Sequence, residues 1–237
     1  MSSERGRLVI GNWKMNLGEA AARSLVAALV AELPFDRVDA AAGTPLAISA
    51  QDVYWAEPGA FTGEVSAAML AEMGVRFVIV GHSERRRLFE ETDETVSRKA
   101  AACRRHGLVP VVCVGETEHQ RNTGLTRDVV AAQTSSAFSG VPQTGPQDLI
   151  VAYEPVWAIG SGRTPSALDV TEAHRAIREA LAERFGDRAS RARILYGGSV
   201  TPANAAELLR ADEVAGALVG GASLDAAAFR EIVEAAG

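Results

Sequence analysis

The sequence predicts an α/β protein built on a parallel sheet, and three observations carry that expectation. Short, continuous apolar runs recur along the chain, amphipathic segments separate them, and no Pro/Gly/Ser-rich linker interrupts the alternation. A strand with one wet face alternates apolar and polar residues. Phe77-Val78-Ile79-Val80 is instead apolar throughout, as expected of a strand covered on both faces by crossover helices. We therefore expect one domain over residues 1–237.

The first strand is Leu8-Val9-Ile10, after which Leu25, Leu29 and Leu33 recur every fourth residue and share one helical face. Further strands are expected at Phe77 to Val80, Val109 to Val114, Leu149 to Ala152, Ile194-Leu195-Tyr196 and Ala217-Leu218-Val219. Between them Ile177 and Leu181 share a helical face. Thr201-Pro202 suits the start of the helix that carries Leu208, because a first helical turn does not use the N–H that proline lacks. This alternation fits both an open doubly wound sheet and a closed barrel, and periodicity does not choose between them.

One stretch breaks the pattern. Val38 to Thr44 and Ile48 to Trp55 both read as extended, with only Pro45-Leu46-Ala47 between them. A parallel crossover takes a dozen or more residues, so no helix fits there. Two short strands with no intervening helix are expected, a seven-stranded barrel being the alternative. Either would leave the outer sheet face thinly covered and suited to subunit contact or local opening.

The net charge of −6 argues against a general nucleic-acid surface, which needs concentrated positive charge, so any phosphate site must be local. No apolar run approaches the ~18 residues of a membrane span. Residues 1–7 show no signal-peptide apolar region, and Cys103 and Cys113 are too few for a disulfide framework. A cytoplasmic protein is expected. Of 24 basic residues only Lys14 and Lys99 are lysines. Against that arginine bias, lysine at 14 suits a cramped site that takes a compact ammonium and not a planar guanidinium. The four histidines are scattered with no zinc-type spacing, so no metal is expected.

Four segments carry chemistry. Ala152-Tyr153-Glu154-Pro155-Val156-Trp157-Ala158-Ile159-Gly160-Ser161-Gly162 puts a carboxylate where a strand gives way to a glycine-bearing loop, so a base and a lid can share it. Gly81-His82-Ser83-Glu84-Arg85-Arg86 puts a histidine at the start of a helix. There the backbone dipole is expected to lower its pKa and keep the ring neutral. The others are Gly11-Asn12-Trp13-Lys14-Met15-Asn16 and Tyr196-Gly197-Gly198-Ser199. Glycines at Gly160, Gly197-Gly198 and Gly220-Gly221 follow separate strands, where converging backbone N–H groups can hold a dianion.

Together these segments resemble the triosephosphate isomerase family, and the resemblance covers nearly the whole chain. It implies a parallel (β/α)8 TIM barrel, here lacking the helix between strands 2 and 3. The implied reaction is cofactor-independent interconversion of dihydroxyacetone phosphate and D-glyceraldehyde 3-phosphate through an enediolate, in glycolysis and gluconeogenesis. By resemblance Glu154 is the base, His82 the neutral electrophile, and Asn12 and Lys14 orient and neutralise the substrate. Glu84 is the implied acidic partner of Lys14, and Gly160, Ser161, Ser199, Gly220 and Gly221 bind phosphate. The neutral histidine beside a glutamate base is also a worked example of general enzymology for this very family.

The resemblance further implies a lid hinged at Pro155-Val156-Trp157 and Arg163-Thr164-Pro165, with tip Ala158 to Gly162. Ile159 closes against Leu218 over Glu154, and Glu116 contacts the open lid near Trp157. Tyr196 should accept an N–H from position 165 on closure. Pro165 has none, so that latch is expected to be absent. The loop Gly59 to Ser66, with Thr62 at its tip, is implied to dock into a second subunit near Asn12 and Lys14. This gives a homodimer and leaves higher association open. Two other readings are a phosphometabolite-binding protein disabled by the lost helix, and a barrel aldolase using Lys14 for a Schiff base.

Overall fold

A computed structural model describes residues 6–32, 46–143, 148–161 and 163–237. The strands are β1 (Leu8–Gly11), β2 (Ser49–Ala50), β3 (Phe77–Val80), β4 (Val109–Val114), β5 (Ile150–Tyr153), β6 (Arg193–Tyr196) and β7 (Gly216–Val219). The helices are α1 (Glu19–Glu32), α2 (Ala67–Glu72), α3 (Ser83–Leu88), α4 (Asp93–Arg105), α5 (Glu118–Asn122), α6 (Thr126–Ala137), α7 (Ala167–Phe185), α8 (Pro202–Arg210) and α9 (Ala226–Ala235). Every pairing is parallel, in the order β1-β7-β6-β5-β4-β3-β2. The sheet curls through 261°. It is a (β/α)8-type barrel that, among the described residues, lacks part of its closure between β1 and β2.

The expected strand over Val38 to Thr44 and the helical position Leu33 lie outside the described residues. The expected strand from Ile48 to Trp55 shrinks to a correction. Only Ser49 and Ala50 pair, with Phe77 and Val78, and beyond them Tyr54 makes a single bridge to Ser66. Side chains explain the early end of β2. Gln51 turns to donate to the Lys14 carbonyl at 2.7 Å, and Asp52 is drawn to Lys99 at 2.6 Å and Arg85 at 2.9 Å. Those bonds bend the chain away from the β3 ladder.

Alternate strand residues fall into two separate apolar clusters, the signature of a sheet buried on both faces. Ile10, Phe77, Ile79, Val111, Cys113, Ile150, Ala152, Leu195 and Leu218 fill the inside of the curl. Val78, Val80, Val112, Val114, Val151, Tyr153, Ile194, Tyr196 and Val219 face the helices. Leu25 and Leu29 of α1 and Ile177 and Leu181 of α7 complete that outer layer. α8 starts as expected, with Thr201 at its cap and proline in its first turn.

The same parity aims the site. On β5, Ile150 and Ala152 point inward and Tyr153 outward, so the next residue, Glu154, is directed into the mouth. By the same count on β1, Asn12 follows inward-facing Ile10. After β3 the count would turn residue 82 outward. Gly81, at φ 71°, resets it, and a Cβ there would lie 2.8 Å from a Val96 methyl.

Candidate active site

Strand order places the chemistry-bearing loops side by side on one rim, at the C-terminal ends of the strands. The lid follows β5, Ser199 follows β6, Gly220 and Gly221 follow β7, and Asn12 and Lys14 follow β1. His82 comes to the same rim from β3.

Glu154 is only 2% exposed, yet its carboxylate is well held. The Ser83 backbone N–H donates to Oε2 at 2.8 Å, and the Ser83 hydroxyl lies 3.4 Å from Oε1. His82 Nε2 stands 3.0 Å from Oε1. The Glu154 backbone N–H donates to the Val114 carbonyl at 2.8 Å. The close pass of β4 fixes the carbonyl as well, since a Cβ on Gly115 would sit 1.7 Å from the Glu154 oxygen.

His82 caps α3 by accepting the Glu84 backbone N–H at Nδ1, at 3.2 Å. An imidazole that accepts at Nδ1 carries its proton on Nε2, which faces Glu154. The expected pKa lowering needs correction. Burial does pull His82 down, but the hydrogen bond and charge of Glu154, with the charge of Glu84, lift it above the usual histidine value while Lys14 opposes them. The upward pull comes chiefly from Glu154. With that carboxylate turned away its lift is lost, and burial and Lys14 lower the value against the charge of Glu84.

Lys14 has a left-handed backbone, φ 54°, which turns its side chain back across the rim. Asn12 Oδ1 accepts the Lys14 N–H at 3.1 Å, and Gln51 holds the Lys14 carbonyl. The ammonium meets Glu84 Oε1 at 2.5 Å. For Glu84, burial raises the pKa, and the hydrogen bond and charge of Lys14 outweigh it and hold the carboxyl below its usual range. Gly220 is beside this lysine: a Cβ there would fall 3.5 Å from Lys14 Cε. The Asn12 N–H donates to the Val219 carbonyl at 2.7 Å, tying β1 and β7 together at the mouth.

The loop after β5 rests against α5 and Glu116 ahead of it. Trp157 Nε1 donates to Glu116 Oε1 at 2.8 Å, and the Tyr153 hydroxyl donates to the same oxygen at 3.1 Å. The Trp157 ring lies 4.2 Å from the Arg121 guanidinium and 5.3 Å from that of Arg163. Arg163 also bonds the Trp157 carbonyl at 3.0 Å and Glu118 at 2.8 Å. Ser161 spends its hydroxyl inside the loop, on the Ala158 carbonyl at 3.1 Å. Gly162 lies outside the described residues. The Tyr196 hydroxyl is buried and has no hydrogen-bond partner among the described residues.

Asn12, Lys14, His82 and Glu154 are thus brought together, with Gly220 against Lys14. Ser161 is turned to its own loop, and the Ser199 carbonyl accepts from Asn204 Nδ2 at 3.1 Å. Sequence reasoning missed Ser83 as the main holder of Glu154, although it sat inside a motif already singled out. It also missed Gln51, for which the sequence carries no signal, and Arg86, which ties Gly81 O at 2.8 Å to Cys113 O at 3.3 Å.

A sequence profile of triosephosphate isomerase matches residues 7–236. The chain belongs to the triosephosphate isomerase family. It is 47% identical over 244 residues to a triosephosphate isomerase of Moorella thermoacetica, covering 97% of this chain and 98% of that one. It is 49% identical over 253 residues to that of Xanthobacter flavus, with both chains fully covered. A triosephosphate isomerase of a Thermoanaerobacter species is 43% identical over 245 residues, covering 97% and 99%. A triosephosphate isomerase reaction requires a base, an electrophile and a countercharge for an enediolate.

Proposed function

We propose that Glu154 is the base and His82 the neutral electrophile of the isomerase reaction, with Lys14 and Asn12 orienting the substrate. The chain is an isomerase that interconverts dihydroxyacetone phosphate and D-glyceraldehyde 3-phosphate, a step of glycolysis and gluconeogenesis. The assignment of roles rests above all on the 3.0 Å approach of Glu154 to His82 Nε2 at the inward end of β5.

Glu154 leaves Ser83 and His82 and takes a proton from the carbon next to the carbonyl. His82 Nε2, freed of the carboxylate, donates to the carbonyl oxygen as negative charge develops there. Lys14, held by Glu84, neutralises that oxyanion and the substrate phosphate, and the Asn12 amide orients the oxygens. Backbone N–H groups of Gly160, Ser161, Ser199, Gly220 and Gly221 take the phosphate as the lid closes. Closure expels water, strengthens these interactions and shields the enediolate. An ammonium already engaged by Glu84 is a poor Schiff-base nucleophile, which weighs against the aldolase reading.

The working unit is a homodimer joined through Gly59 to Ser66, in the cytoplasm, each chain a single domain. The exposure of Met15 (98%), Phe61 (43%) and Val65 (44%) near that loop and the mouth supports a contact there. Among the described residues no helix is long and apolar enough to cross a membrane.

Isomerisation in deuterium oxide tests the roles. Wild type should place deuterium on carbon as it turns over, and Glu154→Gln should lose turnover and exchange together. Exchange undiminished in Glu154→Gln overturns the base assignment.

A further inference from the structure

Beyond their last pair, Val80 with Val112, strands β3 and β4 part. Gly81, at φ 71°, turns the β3 chain aside toward His82, while the β4 chain runs on through Cys113 and Val114 to Gly115. On the β5 side this extension still serves the site. The Val114 carbonyl accepts the Glu154 N–H at 2.8 Å, and the Glu116 carbonyl accepts the Val156 N–H at 3.2 Å. Backbone groups of successive residues alternate in direction along a strand, so those of Cys113 and Gly115 face the side that β3 has left. Inside a fold such groups need other partners. Side chains take the place of the strand. Arg86 donates to the Cys113 carbonyl at 3.3 Å. Gln133 of α6 accepts the Gly115 N–H at 2.8 Å and donates Nε2–H to the Gly115 carbonyl at 3.3 Å.

We infer that Gln133 is a positioning residue for the isomerase reaction, its amide clamping Gly115 and thereby fixing the backbone on which Glu154 is set. The inference rests on the role proposed for Glu154.

The clamp has a firm base. Val130, Thr134 and Ala137 are buried along the same stripe of α6, and hold the helix in place. A glutamine in such a stripe is costly unless its amide is satisfied, and Gly115 engages both of its ends. The other side of Gly115 presses on the base itself, since a Cβ there would lie 1.7 Å from the Glu154 carbonyl oxygen. A cavity of about 10 Å³ beside Gly115, Ser83 and Glu154, room for about one water, leaves this backbone space to shift. The next residue, Glu116, carries the oxygen that Trp157 and Tyr153 share, so the clamp bears on the loop after β5 as well.

Gln133→Met keeps the length of the side chain and deletes both bonds. Nitrogen NMR of the His82 ring reports the Glu154 carboxylate through their 3.0 Å contact, whether or not Glu154 is the base. Glu84 and Lys14 also act on the ring but are tied to each other. In Gln133→Met the ring should titrate at lower pH than in wild type, and kcat should fall by about tenfold with KM changed less than about twofold. Val130→Ala, one turn earlier on α6, removes buried packing and leaves the clamp. It should lower Tm by several degrees with kcat and the ring titration unchanged. Gln133→Glu keeps the acceptor for the Gly115 N–H and serves if Gln133→Met does not fold. Its kcat should fall in the same direction by less. An unmoved ring in folded Gln133→Met overturns the inference even if kcat falls, and so does an equal fall of kcat in Val130→Ala. If only Gln133→Glu folds, an undiminished kcat overturns it. A shifted ring with kcat intact overturns it through the role of Glu154 itself.

Discussion

The Ser83 backbone N–H holds the Glu154 carboxylate at 2.8 Å, on the side where His82 Nε2 meets the other oxygen at 3.0 Å. On the proposed roles, the base is thus parked on the group it must release before that group can polarise a carbonyl. In this resting arrangement neither is ready for substrate, and one movement of Glu154 readies both.

The coupling makes His82 report on Glu154. Because the folded pKa is raised above the usual 6.5, the pair's contribution to stability is complete below pH 6.5. It is lost as pH rises through the raised value. In Glu154→Gln the main upward pull disappears while burial remains, so the His82 pKa should drop below 6.5. Nitrogen NMR of the ring in both proteins checks this, and an unchanged titration contradicts it.

Glu84 holds Lys14 from a position about one-third exposed, so Glu84→Gln should cost less than about 1 kcal/mol of stability. Function should suffer more, because an untethered ammonium is spread over many rotamers. We expect KM to rise several-fold and kcat to fall by about tenfold, read from steady-state kinetics beside a urea titration.

Glu91 anchors a buried charge cluster behind the site. It binds Lys99 at 2.5 Å and Arg85, and both cations also reach Asp52. Burial raises the Glu91 pKa, but Lys99 and Arg85 together hold it below 4.5. Its stabilisation is present above pH 4.5 and is lost as pH falls through the depressed value. Glu91→Gln leaves a lysine that is 3% exposed with Asp52 as its remaining carboxylate and should cost about 1–3 kcal/mol at pH 7. The gap should narrow in acid melts below pH 4.5.

Tyr196 offers a buried hydroxyl with no partner among the described residues, and Pro165 can never donate to it. Tyr196→Phe should therefore change kcat less than about threefold and leave stability equal or slightly higher, since an unmet hydroxyl is removed. In a Pro165→Ala background the N–H is restored, and the same Tyr196→Phe change should then cost more turnover. Equal effects in both backgrounds would argue against the missing latch.

Much of this was legible in the sequence because it depends on local pattern. Unbroken apolar runs marked β3 and β4, and a single carboxylate could be placed at the mouth because it directly follows the apolar run of β5. The early end of β2 was not legible, because Asp52 obeys Lys99 and Arg85, 47 and 33 residues further on. The direction of the His82 shift was missed for the same reason. The helix dipole is a local effect readable at Gly81-His82-Ser83, whereas the opposing carboxylate arrives from 72 residues away. Ser83 as the holder of Glu154 is also a product of the barrel's curl, which no spacing encodes.

The most direct test of the central claim is the rate of glyceraldehyde 3-phosphate conversion by wild type and by Glu154→Asp, with oligomeric mass read on the same samples. One methylene withdraws the carboxylate by roughly 1 Å, so kcat should fall by about 10²-fold or more with little change in KM and the same dimer mass. Rapid turnover retained in Glu154→Asp, or no turnover in a folded dimeric wild type, would contradict the account.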